Sequence, residues 1–432
     1  MLKVTRLRAV SLWCTACAVA GVAGAVAGCN LIFGIQGGEP AGSTSTGASA
    51  ASTGSGGSPT TASSSAAASS STAASSSSTA ASSSTAASSS TAASSSSAAA
   101  SSSSGGAVCP PDRIPACNAD GGACTAQIFD TEPGITDVGI AGDSIFFATG
   151  NAAAIHRVRY DGTGGTDFLA GSSTIRLAIE GARIYWTDYY GGGKVKACDL
   201  NGGNLTTVAV MPGSQQIGEG YIAAHDDAAG TMVYWTSYTP HALWRTIPDG
   251  AHQTPVAVLS QDPAQGIDAP SGLAIDATHL YWGDTQGVRR MKLADIGTPN
   301  PPLEDFAVDH SSPVSVGAVV MDADRVYWIT TYGDVRSKAK TDPPAVAPHL
   351  HLSGSPDQPL SLAIDDLYVY WLSVSGAVQK TTKTGATVLP VAFGPSTPTT
   401  PAGLAVDCGA VYWAVGPVSP LPGRLFKSAK GP

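Results

Sequence analysis

Short apolar stretches separated by polar turns recur from about residue 134 to the C-terminus. Six times an aliphatic residue is followed by Tyr-Trp, and the six tryptophans lie at intervals of 42 to 49 residues: Trp186, Trp235, Trp282, Trp328, Trp371 and Trp413. An aromatic pair at nearly constant spacing indicates repeated structural units that bury their apolar faces against one another.

Each unit contains four such stretches. In one unit they are Ser271–Asp276, His279–Trp282, Gly287–Leu293 and Asp305–Val308, and the turns between stretches contain Gly, Asp, Pro or Thr. Stretches this short and rich in strand-forming residues predict a four-stranded meander. A unit of forty-odd residues with four strands is typical of a β-propeller blade.

A seventh unit without Tyr-Trp lies upstream, with Asp143–Phe147 as its second strand and Ile155–Tyr160 as its third. The last unit begins near Thr400 and lacks a fourth strand, whereas Ala126–Asp130 has the missing pattern. We therefore predict an all-β fold, a seven-bladed β-propeller of four-stranded blades closed by an N-terminal strand that joins the last blade. Such closure removes exposed sheet edges.

Two residue types recur within the units. We expect each Trp to fill the space between neighbouring blades, because an inner strand is covered on both faces. An Asp follows the first strand in four units, at Asp276, Asp322, Asp365 and Asp407. We expect these carboxylates to accept hydrogen bonds from the backbone of their own turns; ion binding is the alternative.

The N-terminal segment 1–28 contains Lys3, Arg6 and Arg8, followed by an apolar run, which is typical of a secretory signal peptide. Its end, Val26–Cys29, resembles the lipobox of bacterial lipoproteins. The resemblance implies cleavage before Cys29, lipid attachment to that residue, and anchoring to the outer membrane or cell surface. Ordinary cleavage after Ala25–Ala27 is the alternative.

Composition divides the rest of the chain. Residues 29–40 form the expected lipid-anchored N-terminus, 41–106 are almost only Ser, Ala, Thr and Gly, 107–125 are a collar containing cysteines, and 126–432 are the predicted propeller. Because the 41–106 segment has no large apolar side chains, we expect a disordered linker. After the signal segment no run of 18 apolar residues occurs, so we expect no membrane-spanning helix.

The charge balance is acidic. The chain has 23 Lys and Arg against 32 Asp and Glu, and three of the cations lie in the signal segment. Binding to nucleic acid requires clustered Lys and Arg, so we expect no nucleic-acid partner. We further expect a monomer without a cofactor.

Five cysteines remain beyond the signal segment and Cys29: Cys109, Cys117, Cys124, Cys198 and Cys408. In an exported protein we expect disulfides, and we predict Cys109–Cys117 and Cys124–Cys408 with Cys198 free. A zinc site is the alternative, but these five cysteines form no Cys-x-x-Cys pattern that would support it.

One unit reads Ile184-Tyr-Trp-Thr-Asp188, with Lys194-Val-Lys196 and Asp199-Leu-Asn-Gly202 further on. This unit resembles the YWTD repeat of the low-density-lipoprotein receptor class of propellers. The other units read YWTS, YWGD, YWIT, YWLS and YWAV. The resemblance extends over roughly residues 134 to 432 and implies propeller architecture and protein binding. Members of that class have six blades, whereas seven units are counted here.

Tyrosines and carboxylates concentrate in the connections that follow the second strand of each unit. Tyrosine combines a large contact area with a polar hydroxyl, a composition that suits binding of a protein or glycan. The alternative is that these side chains only cover the blade ends. The candidate binding residues are Asp188, Tyr189, Tyr190, Tyr238, His241, Asp284, Tyr332 and Asp334.

Two other functional classes are open. Lyases and lactonases built on propellers hold metal ligands at the mouth of the central channel, but the eight histidines here are scattered along the sequence. We therefore assign no catalytic residue and no metal ligand, and predict a non-catalytic binding protein. A metal-assisted lyase or lactonase and a structural envelope protein are the alternatives.

Overall fold

The computed structural model describes residue 109 and residues 125–131, 134–149, 154–170, 174–188, 193–212, 217, 220–227, 230–246, 255–260, 267–298, 301–308, 314–385, 387–393, 400–416 and 423–431. The signal segment, Cys29, the 41–106 linker, and Cys117 and Cys124 of the collar lie outside the described residues.

The described residues form seven four-stranded antiparallel sheets, which we call blades and number along the chain. Each blade has an inner first strand and an outer fourth strand. Blade 1 contains β2 Ile135–Ala141, β3 Ser144–Thr149, β4 Ala154–Arg159 and β5 Thr166–Ala170. Blade 2 contains β6 Thr174–Glu180, β7 Arg183–Asp188, β8 Lys194–Asp199 and β9 Thr206–Val210. Blade 3 contains β10 Ile222–Asp227, β11 Gly230–Tyr238, β12 His241–Thr246 and β13 Val256–Ser260.

Blades 4 to 7 follow the same order, and blade 7 takes its outer strand, β1, from the N-terminal side. Blade 4 contains β14 Leu273–Ile275, β15 His279–Gly283, β16 Gly287–Lys292 and β17 Glu304–Val308, and blade 5 contains β18 Val316–Met321, β19 Arg325–Thr330, β20 Val335–Ala339 and β21 His349–Leu352. Blade 6 contains β22 Pro359–Ile364, β23 Tyr368–Ser373, β24 Val378–Thr382 and β25 Leu389–Ala392. Blade 7 contains β26 Thr400–Val406, β27 Ala410–Gly416, β28 Gly423–Ala429 and β1 Thr125–Thr131.

The blades form a closed ring. Each inner strand contacts the inner strand of the next blade, and β26 of blade 7 contacts β2 of blade 1. Strand β1 pairs antiparallel with β28, from Thr125 opposite Ser428 to Thr131 opposite Gly423. The prediction of seven blades closed by an N-terminal strand is confirmed. Within the described residues, no helix is long and apolar enough to cross a membrane.

The repeated tryptophans fill the interior as predicted. All six are at most 2% exposed, and each lies on the second strand between the first and third strands of its blade. Trp282, for example, lies opposite Leu273 on one side and Arg289 on the other. In blade 1 the equivalent residue is Phe147, opposite Val138, and it is fully buried. A large flat side chain is thus needed at this position in every blade.

The four recurrent aspartates cap the turns between the first and second strands. In each case one carboxylate oxygen accepts backbone N–H groups two and three residues further on; Asp322 Oδ1, for example, accepts from Asp324 at 2.9 Å and Arg325 at 2.7 Å. The same two bonds occur at the other three positions. This observation agrees with the turn-capping prediction.

The disulfide prediction was wrong in its connectivity. Cys109 is bonded to Cys408, with a Cα–Cα distance of 5.6 Å, so Cys109 does not pair with Cys117 and Cys408 does not pair with Cys124. Cys198 is free and buried, as predicted. Sequence spacing favoured a local bridge for Cys109, but ring closure brings the turn that contains Cys408 to it across 299 residues.

Candidate binding surface

Consecutive turns of a meander alternate between the two sides of the ring. We call the side with the connections between second and third strands, and between one blade and the next, the upper face. The side with the turns between first and second strands is the lower face. Because β11 ends at Tyr238 and Tyr332 lies between β19 and β20, both tyrosines belong to the upper face.

Tyr238 and His241 lie together at the upper end of blade 3. The Tyr238 side chain is 67% exposed, and its ring meets the His241 ring edge-on with 4.9 Å between centroids. His241 is held in place, because its Nδ1 accepts the Ala269 N–H at 3.1 Å and lies 3.4 Å from Asp268 Oδ1. The histidine thus supports an exposed tyrosine ring.

Tyr332 lies in the tight upper turn of blade 5 and is 65% exposed. The turn is closed by hydrogen bonds from Thr330 N–H to the Asp334 carbonyl and from Gly333 N–H to the Thr330 carbonyl, both 3.0 Å. Gly333 has φ +85°, and a Cβ there would lie 2.4 Å from the Ser355 carbonyl oxygen. The backbone geometry therefore requires glycine beside Tyr332.

The predicted carboxylates Asp188 and Asp284 lie beneath the upper face and not on it. Each comes two residues after the Trp of its blade and is at most 2% exposed. Asp188 Oδ2 lies 2.6 Å from Lys196 Nζ, and Asp284 Oδ2 lies 3.4 Å from Arg289 Nε. Burial raises the pKa of Asp284 to about 6, although the Gln286 N–H and the Arg289 charge act against this shift.

Asp334, the third predicted carboxylate, is also buried and bonded. Its Oδ2 accepts hydrogen bonds from Arg336 Nε at 3.0 Å and Nη2 at 2.6 Å, and its Oδ1 accepts the Gly354 N–H at 2.7 Å. These bonds join the connection between β19 and β20, which contains Asp334, to the connection between β21 and β22, which contains Gly354. The structure therefore places all three carboxylates in contacts that hold the upper loops in position. Tyr189 and Tyr190 lie outside the described residues.

Two exposed apolar residues on the upper face were missed from the sequence. Phe393 directly follows β25 and is 81% exposed, and Val374 lies in the upper turn of the same blade. The Val374 N–H donates to the Gln358 carbonyl at 2.9 Å, and Gln358 Nε2 donates to the Thr331 carbonyl at 3.2 Å. Gln358 thus connects the turns of Tyr332 and Val374. An apolar residue after the end of a fourth strand was the signal for Phe393.

A small cavity opens on the upper face between blades 4 and 5. Its volume is about 100 Å³, room for on the order of three water molecules. The lining combines aliphatic and aromatic carbon with an amide, a hydroxyl and a guanidinium: Gln286, Gly287, Ala307, Val314, Val316, Trp328, Thr330 and Arg336.

Around the channel, the inner strands of blades 1 and 2 and the residue before the inner strand of blade 3 bring together Asp137, Arg176 and Tyr221. Burial raises the pKa of Asp137 to about 7, although the Arg176 charge and two backbone N–H groups act against this shift. Asp137 Oδ1 accepts the Val138 N–H at 3.0 Å and Oδ2 accepts the Leu177 N–H at 2.9 Å. The carboxyl group thus joins the backbones of β2 and β6. The Arg176 guanidinium lies 4.5 Å from the centre of the Tyr221 ring.

Among the described residues, the one group of three potential metal ligands is Cys109, Asp407 and Cys408. Both sulfur atoms of this group are already joined in the disulfide. Asp407 Oδ1 accepts turn N–H groups, and its Oδ2 accepts the Tyr412 hydroxyl at 3.0 Å. The donor atoms of this group are therefore used by the protein itself.

The chain matches no protein-family profile and no curated protein sequence. Among solved structures, it is similar to YCF48 bound to a D1 peptide, with 14% identity and a TM-score of 0.52 over 75% of this chain and 99% of that one. It is also similar to YCF48 from Cyanidioschyzon merolae, with 11% identity and a TM-score of 0.51 over 71% and 98%. A nidogen/laminin complex matches with 18% identity and a TM-score of 0.45 over 61% and 98%.

The similarity to the two YCF48 structures is one of fold. At these identities it supports the propeller architecture and transfers no site residue.

The described residues nearest the N-terminus, Cys109 and Thr125, lie on the lower face of the propeller. Cys408 lies in the lower turn between β26 and β27, so the disulfide places Cys109 on that side. Strand β1 starts at Thr125, opposite Ser428 near the lower end of β28. The upper face, with Tyr238, Tyr332 and Phe393, is thus on the side opposite Cys109 and the start of β1.

Proposed function

We propose that this protein is an exported lipoprotein, anchored through Cys29 to the outer membrane or cell surface, whose propeller binds a protein or glycan without catalysing a reaction. The binding surface is the upper face of the propeller. The tethered N-terminal segment carries the propeller away from the membrane.

The observation that carries this proposal is the exposure of Tyr238, Tyr332 and Phe393 on one face. Aromatic side chains bury a large area when a partner covers them and lose few rotamers on binding. The backbone that carries Tyr332 is held by a hydrogen-bonded turn, and the Tyr238 ring rests against His241, so both side chains are presented from structured positions. Preorganisation of this kind lowers the entropic cost of association.

Two further observations support the proposal. Cys109 and the start of β1 lie on the lower face, so a lipid-bearing segment that enters there would leave the upper face free for a partner. In addition, YCF48, which has a similar fold, is bound to a D1 peptide in its structure. That structure is an example of peptide binding by this architecture, and its partner is not transferred to this chain.

The test compares the full chain with the variant Tyr238→Ala/Tyr332→Ala/Phe393→Ala. The matched control is Leu205→Ala/Val256→Ala/Leu367→Ala, which removes three exposed apolar side chains from the lower ends of the blades. Each protein is immobilised and exposed to detergent-solubilised envelope from the producing cells and, separately, to a glycan array.

We expect the parent and the control to retain the same protein or glycan, and the upper-face variant to lose it. Circular dichroism and thermal unfolding verify that all three proteins are folded. Equal retention by the upper-face variant would exclude this surface. Retention of nothing by the parent in either assay would contradict the binding function.

A further inference from the structure

Three pairs of neighbouring blades are joined on the lower face by an ion pair of the same design. The second carboxylate oxygen of the turn-capping Asp of one blade accepts a hydrogen bond from a Lys of the next blade. The three inter-blade ion pairs are Asp276–Lys340 at 2.9 Å, Asp322–Lys383 at 2.7 Å and Asp365–Lys430 at 2.6 Å.

Blade 2 has a different residue at this place. Counting back five residues from the Tyr of Tyr-Trp leads to Asp276, Asp322 and Asp365 in blades 4 to 6, and to Glu180 in blade 2. Each of the three lysines directly follows the third strand of its blade, whereas β12 of blade 3 is followed by Ile247. The sequence therefore provides an acid in blade 2 but no lysine in blade 3.

Glu180 lies near a second carboxylate, that of Asp226, instead. Its neighbours Ala178 and Tyr185 belong to the apolar cluster shared by blades 2 and 3, so the Glu180 side chain, which is 9% exposed, faces blade 3. The Asp226 N–H of β10 donates a hydrogen bond to the Glu180 carboxyl group. The Asp226 side chain also approaches blade 2, because a Cβ at Gly181 would lie 3.5 Å from its Oδ2.

The other groups at this contact are few. Strand β7 contributes Tyr185, whose hydroxyl lies near Thr231 of β11, and Arg183, whose guanidinium lies over the Tyr185 ring with its Nε 3.5 Å from Asp199 Oδ1. Thr231 also donates its hydroxyl to Asp226 Oδ1. Arg183 is directed toward Asp199, and the sequence has Ile247 in the position that lysine occupies in the other blades, so among the described residues no lysine pairs with Glu180 or Asp226.

We propose that the contact between blades 2 and 3 is pH-dependent: Glu180 packs beside Asp226 on the lower face while it holds a proton, and loss of that proton places two like charges at this contact and loosens the edge. Burial raises the pKa of Glu180 to about 7, and the charge of Asp226 acts in the same direction. The three Asp–Lys pairs depend on pH in the opposite sense. They are weakened when the pH falls, because their carboxylates are stabilised in the charged form.

The sign of the effect follows from proton linkage. A folded-state pKa near 7 lies above the ordinary value, so the folded protein holds a proton that the unfolded chain releases. The stability that protonated Glu180 contributes is fully present below about pH 4.5 and is lost as the pH rises to about 7. Over this range the unfolding constant increases by up to about tenfold per pH unit.

The experiment measures urea unfolding of the full chain at half-unit steps from pH 4.5 to 8.5, for the parent, Glu180→Gln and Asp226→Asn. Asp322→Asn, at the equivalent place in blade 5, is the matched control. Between pH 5 and 7 the unfolding constant of the parent should rise with pH, and Glu180→Gln should remove this rise, which is up to about tenfold per pH unit. Asp226→Asn should make the rise smaller. Asp322→Asn should leave the rise unchanged.

Hydrogen exchange localises the effect. After correction for intrinsic rates, amides of β10 and β11 in the parent should exchange faster at pH 8 than at pH 6, while those of β22 and β23 should not. Asp226→Lys, which supplies the missing cation, should protect β10 and β11 at pH 8. Equal slopes for parent and Glu180→Gln, or exchange in β10 and β11 without pH dependence, would overturn the proposal.

Discussion

Cys109 and Cys408 form a disulfide that joins the N-terminal side of the propeller to the lower turn of its last blade, across 299 residues of sequence. The ring is thereby closed twice, by pairing of β1 with β28 and by a covalent bond beside it. Loss of the bond should therefore weaken the closure without opening the ring.

The double variant Cys109→Ser/Cys408→Ser should lose about 2 to 4 kcal/mol of stability, because the unfolded chain is no longer constrained by the closed loop. Urea unfolding measures the loss. Peptide mapping of the non-reduced parent should recover a Cys109 peptide joined to a Cys408 peptide. Recovery of Cys109 joined to Cys117 would contradict the disulfide described here.

Trp282→Ala should destabilise the propeller by about 3 to 5 kcal/mol, because it leaves a cavity between blades that the neighbours cannot fill. Tyr332→Ala is the control, since the Tyr332 side chain is exposed. Thermal unfolding of both variants distinguishes an interior from a surface role. An unchanged melting temperature for Trp282→Ala would be incompatible with the observed packing.

Gly272→Ala should be among the most damaging small substitutions in an inner strand. A Cβ at this position would lie 2.3 Å from the Gly317 carbonyl oxygen and 2.4 Å from the Val319 nitrogen, both in the next blade. We expect a loss of about 3 kcal/mol. Gly354→Ala, where φ is +53° but no atom lies within 4 Å, should lose only about 1 kcal/mol. Equal effects would argue against close packing of the inner strands.

The Asp276–Lys340 pair should make the protein sensitive to acid. Burial alone would raise the pKa of Asp276, but hydrogen bonds from Lys340 and Thr278 outweigh it and lower the pKa to about 2. Its contribution is therefore present above about pH 4 and lost as pH falls toward 2. The stability difference between the parent and Asp276→Asn should shrink over that range in chemical unfolding.

Cys29→Ser should release the protein from the membrane fraction if the lipobox resemblance describes its processing. The parent should partition into the detergent phase and give an N-terminal peptide with the mass of a lipidated cysteine. The variant should appear in the aqueous phase. Equal partitioning of the two proteins would show that Cys29 carries no anchor.

Local features of the fold were readable from the sequence. The Tyr-Trp spacing predicted the blade length, the Asp after the first strand of four blades predicted the turn there, and the unpaired pattern at 126–130 predicted the closing strand. The upper face was predicted in part: Tyr238 and Tyr332 are exposed there, whereas Asp188, Asp284 and Asp334 are buried in ion pairs. A loop position alone does not reveal whether a cation on the adjacent strand will cover a carboxylate.

The sequence by itself determined the positions of the strands, the turns between them and the repeated units. These features depend on residues a few positions apart, whose spacing can be read directly from the sequence. Only the tertiary structure decided that Cys109 bonds to Cys408, that Lys340 reaches Asp276, and that Glu180 meets Asp226. Those contacts join residues from different blades, and ring closure sets which side chains meet and how much water remains around them.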